Sequence, residues 1–343
     1  MANRKNEHLD IVLSGGAGPD GRDPTGLGRV VFEHVALPEL AMAEIDLRCD
    51  FLGRALALPM MIGSMTGGPA RAAAINATLA EVCEAKGIAL AVGSQRVALE
   101  GEGDAGLGPE LRRHAPTVPI LANFGAVQLN CGFGIDQARR AVDSIGADAL
   151  ILHLNPLQEA LQPEGDRDWR GLLARIGAIA RALPVPVIVK EVGAGLSGAV
   201  VARLAEEGVA IFDVAGRGGT SWSKVEAARA RDPAEAEIAR VFADWGIPTA
   251  EAIVAARGAA PGATVIASGG LANGLQLAQA LRLGADLGSF AGAILGDALA
   301  GPDALAARID VIAAQLRIVC FCTGSADLAA LRRARCTGVP PAE

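Results

Sequence analysis

The stretch Ala263-Thr264-Val265-Ile266-Ala267-Ser268-Gly269-Gly270 decides the fold. A short apolar run stops at a serine and two glycines. A helical pattern follows over Leu275–Leu283, and a second apolar run, Leu287–Phe290, ends in Ala291-Gly292. A strand buried on both faces reads as a continuous apolar run, and the helix after it carries the chain back to a parallel neighbour. Outward from this pair, six earlier runs repeat the scheme: Leu58–Gly63, Ile88–Val92, Val118–Ala122, Ala149–Leu152, Val185–Val189 and Val209–Val214. Helical patterns over Pro69–Lys86, Ile135–Ile145, Trp169–Leu183, Gly198–Glu207 and Thr249–Arg257 alternate with them. Eight such units predict an α/β chain folded as a (β/α)8 TIM barrel.

An open doubly wound sheet would want G-x-G-x-x-G after its first strand. The pattern occurs at Gly16–Gly21, Gly101–Gly106 and Gly193–Gly198. The first two open no helix, and the third follows the fifth strand, so the dinucleotide fold is the lesser option. No Pro-, Gly- or Ser-rich linker divides the chain. Residues 1–343 read as one domain, with 1–57 an N-terminal extension covering the barrel.

The chain has 343 residues, 51% apolar and 20% charged, too apolar and too lightly charged for disorder. Mean hydropathy is +0.34, yet no apolar run is long enough to span a bilayer, so no membrane partner is expected. The start, Met1-Ala2-Asn3-Arg4-Lys5, has no apolar signal core, which predicts a cytoplasmic protein. A net charge of −7 without a long basic run argues against nucleic acid. Any anionic ligand must then be met by a few placed Arg and Lys residues. The six cysteines show no zinc spacing and read as reduced, buried thiols.

Reactive residues of a barrel sit where strands run into the loops that follow them. Here these junctions are Gly63-Ser64-Met65-Thr66-Gly67-Gly68, Gly93-Ser94-Gln95-Arg96, Asn123-Phe124-Gly125 and His153-Leu154-Asn155-Pro156-Leu157-Gln158-Glu159. The later ones are Lys190-Glu191-Val192-Gly193, Gly216-Arg217-Gly218-Gly219-Thr220-Ser221-Trp222, Ser268-Gly269-Gly270 and Ala291-Gly292-Ala293. The last two precede helices and bare backbone N–H groups, which suits a phosphate at this end of the fold. The competing explanation is that these glycines only make tight turns. Lys190 ends an apolar strand and needs an anion: a negatively charged cofactor ring, Glu191 or Asp213.

Taken together with Arg4-Lys5-Asn6-Glu7-His8-Leu9, these loops resemble the type II isopentenyl-diphosphate isomerases, FMN-dependent (β/α)8 barrels. The match runs in order from residue 4 to about residue 293. The resemblance implies interconversion of isopentenyl and dimethylallyl diphosphate with FMN, NADPH and Mg2+, in a homo-oligomer such as a tetramer or octamer. It places Met65, Thr66, Gly67, Ser94 and Asn123 along the flavin, Lys190 at the polar edge of its ring, and Thr220, with Ser221, toward the ribityl phosphate. Gly269, Gly270, Leu271, Ala291 and Gly292 would hold the FMN phosphate through backbone N–H groups. Arg4, Lys5, Arg96, His153, Asn155 and Gln158 would hold the diphosphate substrate, with Gln158 and His153 beside the reacting carbons and Glu159 on the metal. Leu271-Ala272 stands where many relatives carry Ile-Arg, which removes one cation near the phosphate.

Moving a double bond needs a proton added at one carbon and removed from another, away from water. No carboxylate or thiol pair in these loops offers itself for that work, which favours a reduced flavin as proton carrier. Two other functions compete. An FMN-dependent 2-hydroxy-acid oxidase or dehydrogenase would need a histidine after strand 6, and the four histidines are His8, His34, His114 and His153. A non-catalytic flavin-binding protein would have no need of a second anion site around Arg4, Lys5, Arg96 and Glu159.

Overall fold

Eight parallel strands close on themselves in a computed structural model that describes residues 2–339 except 20, 22, 66–68 and 102–105. The barrel strands are β1 (Met60–Ile62), β2 (Ala89–Ala91), β3 (Ile120–Gly125), β4 (Ala149–Leu154), β5 (Val187–Glu191), β6 (Ile211–Asp213), β7 (Thr264–Ala267) and β8 (Leu287–Phe290). Each pairs with its neighbours in the sequence, and β8 returns to β1 through Gly288–Met60 and Phe290–Ile62. All eight predicted strands are present, so the (β/α)8 reading holds. Three of them run further toward the loops than the apolar runs suggest. β3 and β4 take in Asn123 and His153, residues the sequence places after their strands, and β5 runs through Lys190, read as the strand's end, to Glu191. Their backbones stay in the ladder because a parallel neighbour pairs there: Gly125 with His153, and His153 with Lys190.

The pleat then fixes what lies inside. Side chains alternate along a strand, and one inward rung, Met61, Ala91, Leu121, Ile151, Ile188, Ile211, Ile266 and Leu287, is apolar and buried. Two residues further along each strand stand Gly63, Gly93, Asn123, His153, Lys190, Asp213, Ser268 and Ser289. The barrel therefore carries an apolar plug below and a polar rung at its C-terminal mouth. Outward-facing Met60, Ile62, Leu150, Leu152, Val189 and Phe212 join the core shared with the helices.

The opposite end is closed by residues that precede the barrel. Cys49–Phe51 and Arg54–Leu56 form an antiparallel hairpin, and Phe51 and Leu56 are buried against the inner rung. Arg54 ties this hairpin to the barrel through Asp148 Oδ1 at 2.7 Å. Asp148 Oδ2 also accepts from Arg112 at 2.6 Å and from the Ile120 amide at 2.9 Å. The helix Ala2–Leu13 packs at the other end, against the helix Trp222–Arg229. A two-residue ribbon joins Val31–Phe32 to Cys336–Thr337.

No helix among the described residues is long and apolar enough to cross a membrane. All six cysteines are free thiols. Cys83 and Cys320 are buried as expected, but Cys131 is exposed, because it follows the short helix Ala126–Asn130 out of the core.

Candidate active site

Two cavities open side by side at the mouth. The larger, of about 350 Å³, runs under the loops after β6, β7 and β8, with Gly219, Thr220, Gly269, Gly270, Leu271, Ala291 and Gly292 in its wall. The smaller, of about 180 Å³, is bounded by Ser94, Arg96, Asn123, His153, Asn155, Gln158 and Glu159. Ser64, Lys190, Val192 and Trp222 belong to both walls.

The phosphate-like end of the larger cavity is built from backbone. Loop 216–219 lies directly on loop 269–270: a Cβ on Gly269 would fall 2.0 Å from Gly216 O, and one on Gly270 would fall 2.1 Å from Gly218 O. Both glycines have φ near +100°, so the tight-packing explanation does account for these two. Gly292 differs. It opens the nine-residue helix Gly292–Ala300, its Cβ would meet nothing nearer than Thr220 Oγ1 at 3.6 Å, and the N-cap Ala291 supplies no side-chain acceptor. The first amides of that helix thus have no side-chain cap and border the cavity. By contrast the helix Gly274–Arg282 is capped by Asn273 and has no such need.

A polar chain crosses the floor. Asn123 Nδ2 donates to Ser64 Oγ at 3.0 Å and to Val92 O at 3.1 Å, so its Oδ1 is the acceptor facing His153 Nδ1 at 2.9 Å. His153 therefore carries its proton on Nδ1 and leaves Nε2 as an acceptor. Desolvation, with the nearby Lys190 charge, pulls the His153 pKa down to about 3. Lys190 Nζ donates to Glu191 O at 2.6 Å and stands 3.9 Å from Asp213 Oδ2. Asp213 is fully buried, and its Oδ1 accepts from Ser268 Oγ while its Oδ2 has no hydrogen-bond partner among the described residues. Burial pushes the Asp213 pKa up against the pull of Lys190 and Ser268. Glu191 turns away from Lys190: one of its oxygens gathers the amides of Val192, Gly193, Ala194 and Gly195 and so shapes the loop between the cavities.

At the smaller cavity, Asn155 Nδ2 donates to Gln158 Oε1 at 3.1 Å and to Glu159 Oε1 at 2.9 Å. Pro156 starts the short helix Pro156–Leu161 that carries both acceptors. Glu159 Oε2 accepts from the Asp166 amide at 2.7 Å. Arg96 begins a one-turn helix and is held by Glu100 Oε1 at 2.9 Å and Asp166 Oδ2 at 3.4 Å. Among the described residues no group of three or more His, Cys, Asp or Glu side chains is arranged to hold a metal ion.

The structure thus brings together Ser94, Arg96, Asn123, His153, Asn155, Gln158, Glu159 and Lys190 around one cavity pair. It places Thr220, Gly269, Gly270, Leu271, Ala291 and Gly292 at the other end. Met65 follows Ser64 and packs half-buried against the core. Ser221 points elsewhere: it caps the helix Trp222–Arg229 and bonds Ala243 O at 2.8 Å. Thr66 and Gly67 lie outside the described residues. Arg4 and Lys5 stand on the helix Ala2–Leu13, but their side chains are not among those described. That helix comes to the site through His8, which faces Trp222 edge-on at 5.2 Å and stands 3.3 Å from Glu226 Oε1. Gln128, Gln162, Asp166 and Glu226 also gather there, and sequence reading missed all four. Only the helical spacing of Trp222 and Glu226, four residues apart on one face, offered a signal.

Around β6 the mouth offers Gly216 to Ser221 and no histidine. His153 stands on β4, and His114 bonds Glu81 2.9 Å away at the surface. No protein-family model matches the chain. Solved structures do: a mandelate oxidase in complex with 2-hydroxy-phenylacetamide is 18% identical, with a TM-score of 0.65 over 98% of this chain and 97% of the other. A mandelate oxidase holding a C4a-OH-FMN adduct is 17% identical, again with a TM-score of 0.65, over 98% of both chains. The chain is by fold a (β/α)8 barrel of the kind these oxidases share. Closer sequence relatives refine this. An isopentenyl-diphosphate delta-isomerase of Stutzerimonas stutzeri is 57% identical over 98% of this chain and 96% of its own length. Another, of Xanthobacter autotrophicus, is 55% identical over 96% of each. The chain belongs to the isopentenyl-diphosphate delta-isomerase family.

Proposed function

We propose that this chain interconverts isopentenyl diphosphate and dimethylallyl diphosphate, with FMN in the larger cavity and the diphosphate in the smaller. One observation carries the reading: a backbone-lined cavity and an arginine- and amide-lined cavity share the wall Ser64, Lys190, Val192 and Trp222. The uncapped amides at Gly292 and the loop 269–270 suit the FMN phosphate, Thr220 its ribityl side, and Lys190 its polar ring edge. Met65, Ser94 and Asn123 are assigned to the flavin edge beside that shared wall, Ser94 and Asn123 reaching it from the smaller cavity, where Asn123 Nδ2 donates to Ser64 Oγ at 3.0 Å. Thr66 and Gly67, outside the described residues, are assigned to it by the family resemblance alone. Bound and reduced by NADPH, FMN supplies a proton donor and acceptor against the alkene.

The chain's own residues do the holding. Arg96, with Arg4 and Lys5, meets the diphosphate oxygens; a guanidinium takes two of them at once. Glu159 offers one hard oxygen ligand, which suits Mg2+ arriving with phosphate and water as its remaining ligands. Asn155 sets the side chains of Gln158 and Glu159 in one bond pair, so the group beside the reacting carbons and the group on the metal are oriented together. Neutral His153 presents Nε2 as an acceptor and keeps a second positive charge away from Lys190. Residues 1–57 belong to the same domain as the barrel and cover it at both ends. A cytoplasmic homo-oligomer, tetramer or octamer, completes the reading.

The test is direct. The purified protein should take up FMN, turn yellow, and after anaerobic reduction isomerise isopentenyl diphosphate with Mg2+ but not with a chelator. Gln158→Ala should keep FMN and lose at least tenfold in turnover. A colourless protein that takes up no FMN, or oxidation of lactate or glycolate instead, overturns the reading.

A further inference from the structure

Asp166 belongs to no motif singled out in the sequence, yet it joins the two sides of the smaller cavity. Its Oδ2 accepts from Arg96 Nη1 at 3.4 Å and from Gln128 Nε2 at 3.1 Å. Its amide donates to Glu159 Oε2 at 2.7 Å, and its carbonyl accepts from Trp169 Nε1 at 2.9 Å. The loop that presents it is closed tightly: a Cβ on Gly165 would fall 1.9 Å from Glu159 O. One residue is thus clamped to the carboxylate assigned to the metal and to the guanidinium assigned to the diphosphate.

The charges here do not favour a bare anion. Arg96 is met by Glu100 as well as by Asp166, and Glu159 lies on the other side of the Asp166 amide. Two carboxylates, Glu100 and Asp166, thus already hold the Arg96 guanidinium, with Glu159 one hydrogen bond further on and Lys190 elsewhere in the cavity wall. An ionised diphosphate must compete with Asp166 for Arg96 and meets like charge as it does so. A divalent cation on the diphosphate cancels that repulsion and gives the carboxylates something to attract.

We propose that Asp166 is a specificity-determining residue that makes this cavity select metal-complexed diphosphate over metal-free diphosphate. The inference rests on the diphosphate reading of the cavity. Asp166 positions Arg96 and Glu159 and repels the uncomplexed anion; it takes no part in proton transfer.

The experiment is isothermal titration of inorganic diphosphate into FMN-loaded protein, with Mg2+ or with EDTA. Wild type should bind the Mg2+ complex much more tightly than the free anion. Asp166→Asn keeps the shape and removes the charge. It should bind free diphosphate roughly tenfold more tightly, as expected for one unit charge about 5 Å away in a partly wet site, and the discrimination should shrink by the same factor. Asp166→Glu should restore it. Gln128→Leu, which deletes the neutral partner and keeps the charge, should leave the discrimination in place. Equal loss of affinity with and without Mg2+ in Asp166→Asn, or collapse of the ratio in Gln128→Leu, would show a merely structural role and overturn the proposal. Wild type that binds diphosphate under neither condition would instead overturn the reading of the cavity on which it rests.

Discussion

Gly269→Ala and Gly292→Ala separate a glycine demanded by packing from one left open for a ligand. At Gly269 the backbone has φ +99°, a region that costs an L side chain about 1–2 kcal/mol. The new Cβ would also sit 2.0 Å from Gly216 O and 2.5 Å from Gly216 N. These are backbone atoms and cannot rotate away, so loops 216–219 and 269–270 must part by more than an ångström. That breaks the bond from the Gly216 amide to Ser268 O and the one from Thr249 Oγ1 to Gly269 O, at about 1 kcal/mol each. The total is roughly 3–4 kcal/mol. Since about 1.4 kcal/mol is tenfold in affinity, FMN binding that needs these loops in contact should weaken on the order of 100-fold. The thermal midpoint of the apoprotein should fall by several degrees. Gly292→Ala faces only Thr220 Oγ1 at 3.6 Å, and alanine suits a helix better than glycine. Its apoprotein should melt no lower than wild type, while FMN affinity falls because the methyl group points into the cavity. Fluorescence titration of FMN and thermal melts of the apoproteins decide the matter. Gly269→Ala binding FMN within threefold of wild type, or equal melting losses in the two variants, would refute the assignment of roles.

Other consequences follow from groups at either end of the barrel. A histidine whose pKa is lowered on folding costs stability in acid, because the unfolded chain binds the extra proton first. Between about pH 6.5 and 3 the apoprotein should therefore lose up to about 1.4 kcal/mol per pH unit through His153, less where cavity water screens the ring; urea melts of His153→Gln should show a shallower loss, and parallel curves would be evidence against it. Phe51→Ala empties the plug under the inner rung and should cost about 3–5 kcal/mol with turnover at 25 °C unchanged, as denaturant melts and a steady-state assay can show. Removing residues 1–8 should spare FMN binding and abolish isomerisation, since it takes away Arg4, Lys5 and the His8 contact with Trp222; an active truncation would show that this helix is not needed at the mouth.

The barrel was legible because its strands are short apolar runs closed by Gly, Ser or Asn, and because the helices between them keep their own period. Asn123, His153 and Lys190 show the limit of that reading. Apolarity ends before the strand does, and only the inward alternation, two residues past Leu121, Ile151 and Ile188, places them on one rung. The hairpin Cys49–Leu56 was missed since each strand is three residues long and one carries Asp50. Asp166 and Gln162 were missed for another reason: they sit in an irregular loop whose course is set by the approach of Gly165 to Glu159, a tertiary contact with no local sequence period. Arg96, Glu159 and Gln158 were found through the familiar string of residues around them, not through spacing.

The ribbon that pairs Val31 with Thr337 and Phe32 with Cys336 has a bearing on how the molecule is made. Translation delivers the first of these strands roughly three hundred residues before its partner. The nascent polypeptide must keep that segment unmated, with Val31 and Phe32 uncovered by their eventual mate, until the far end clears the ribosomal tunnel. Closure of this small clasp is therefore among the last events of biogenesis, and a premature stop upstream of residue 336 would release a barrel with its clasp permanently undone.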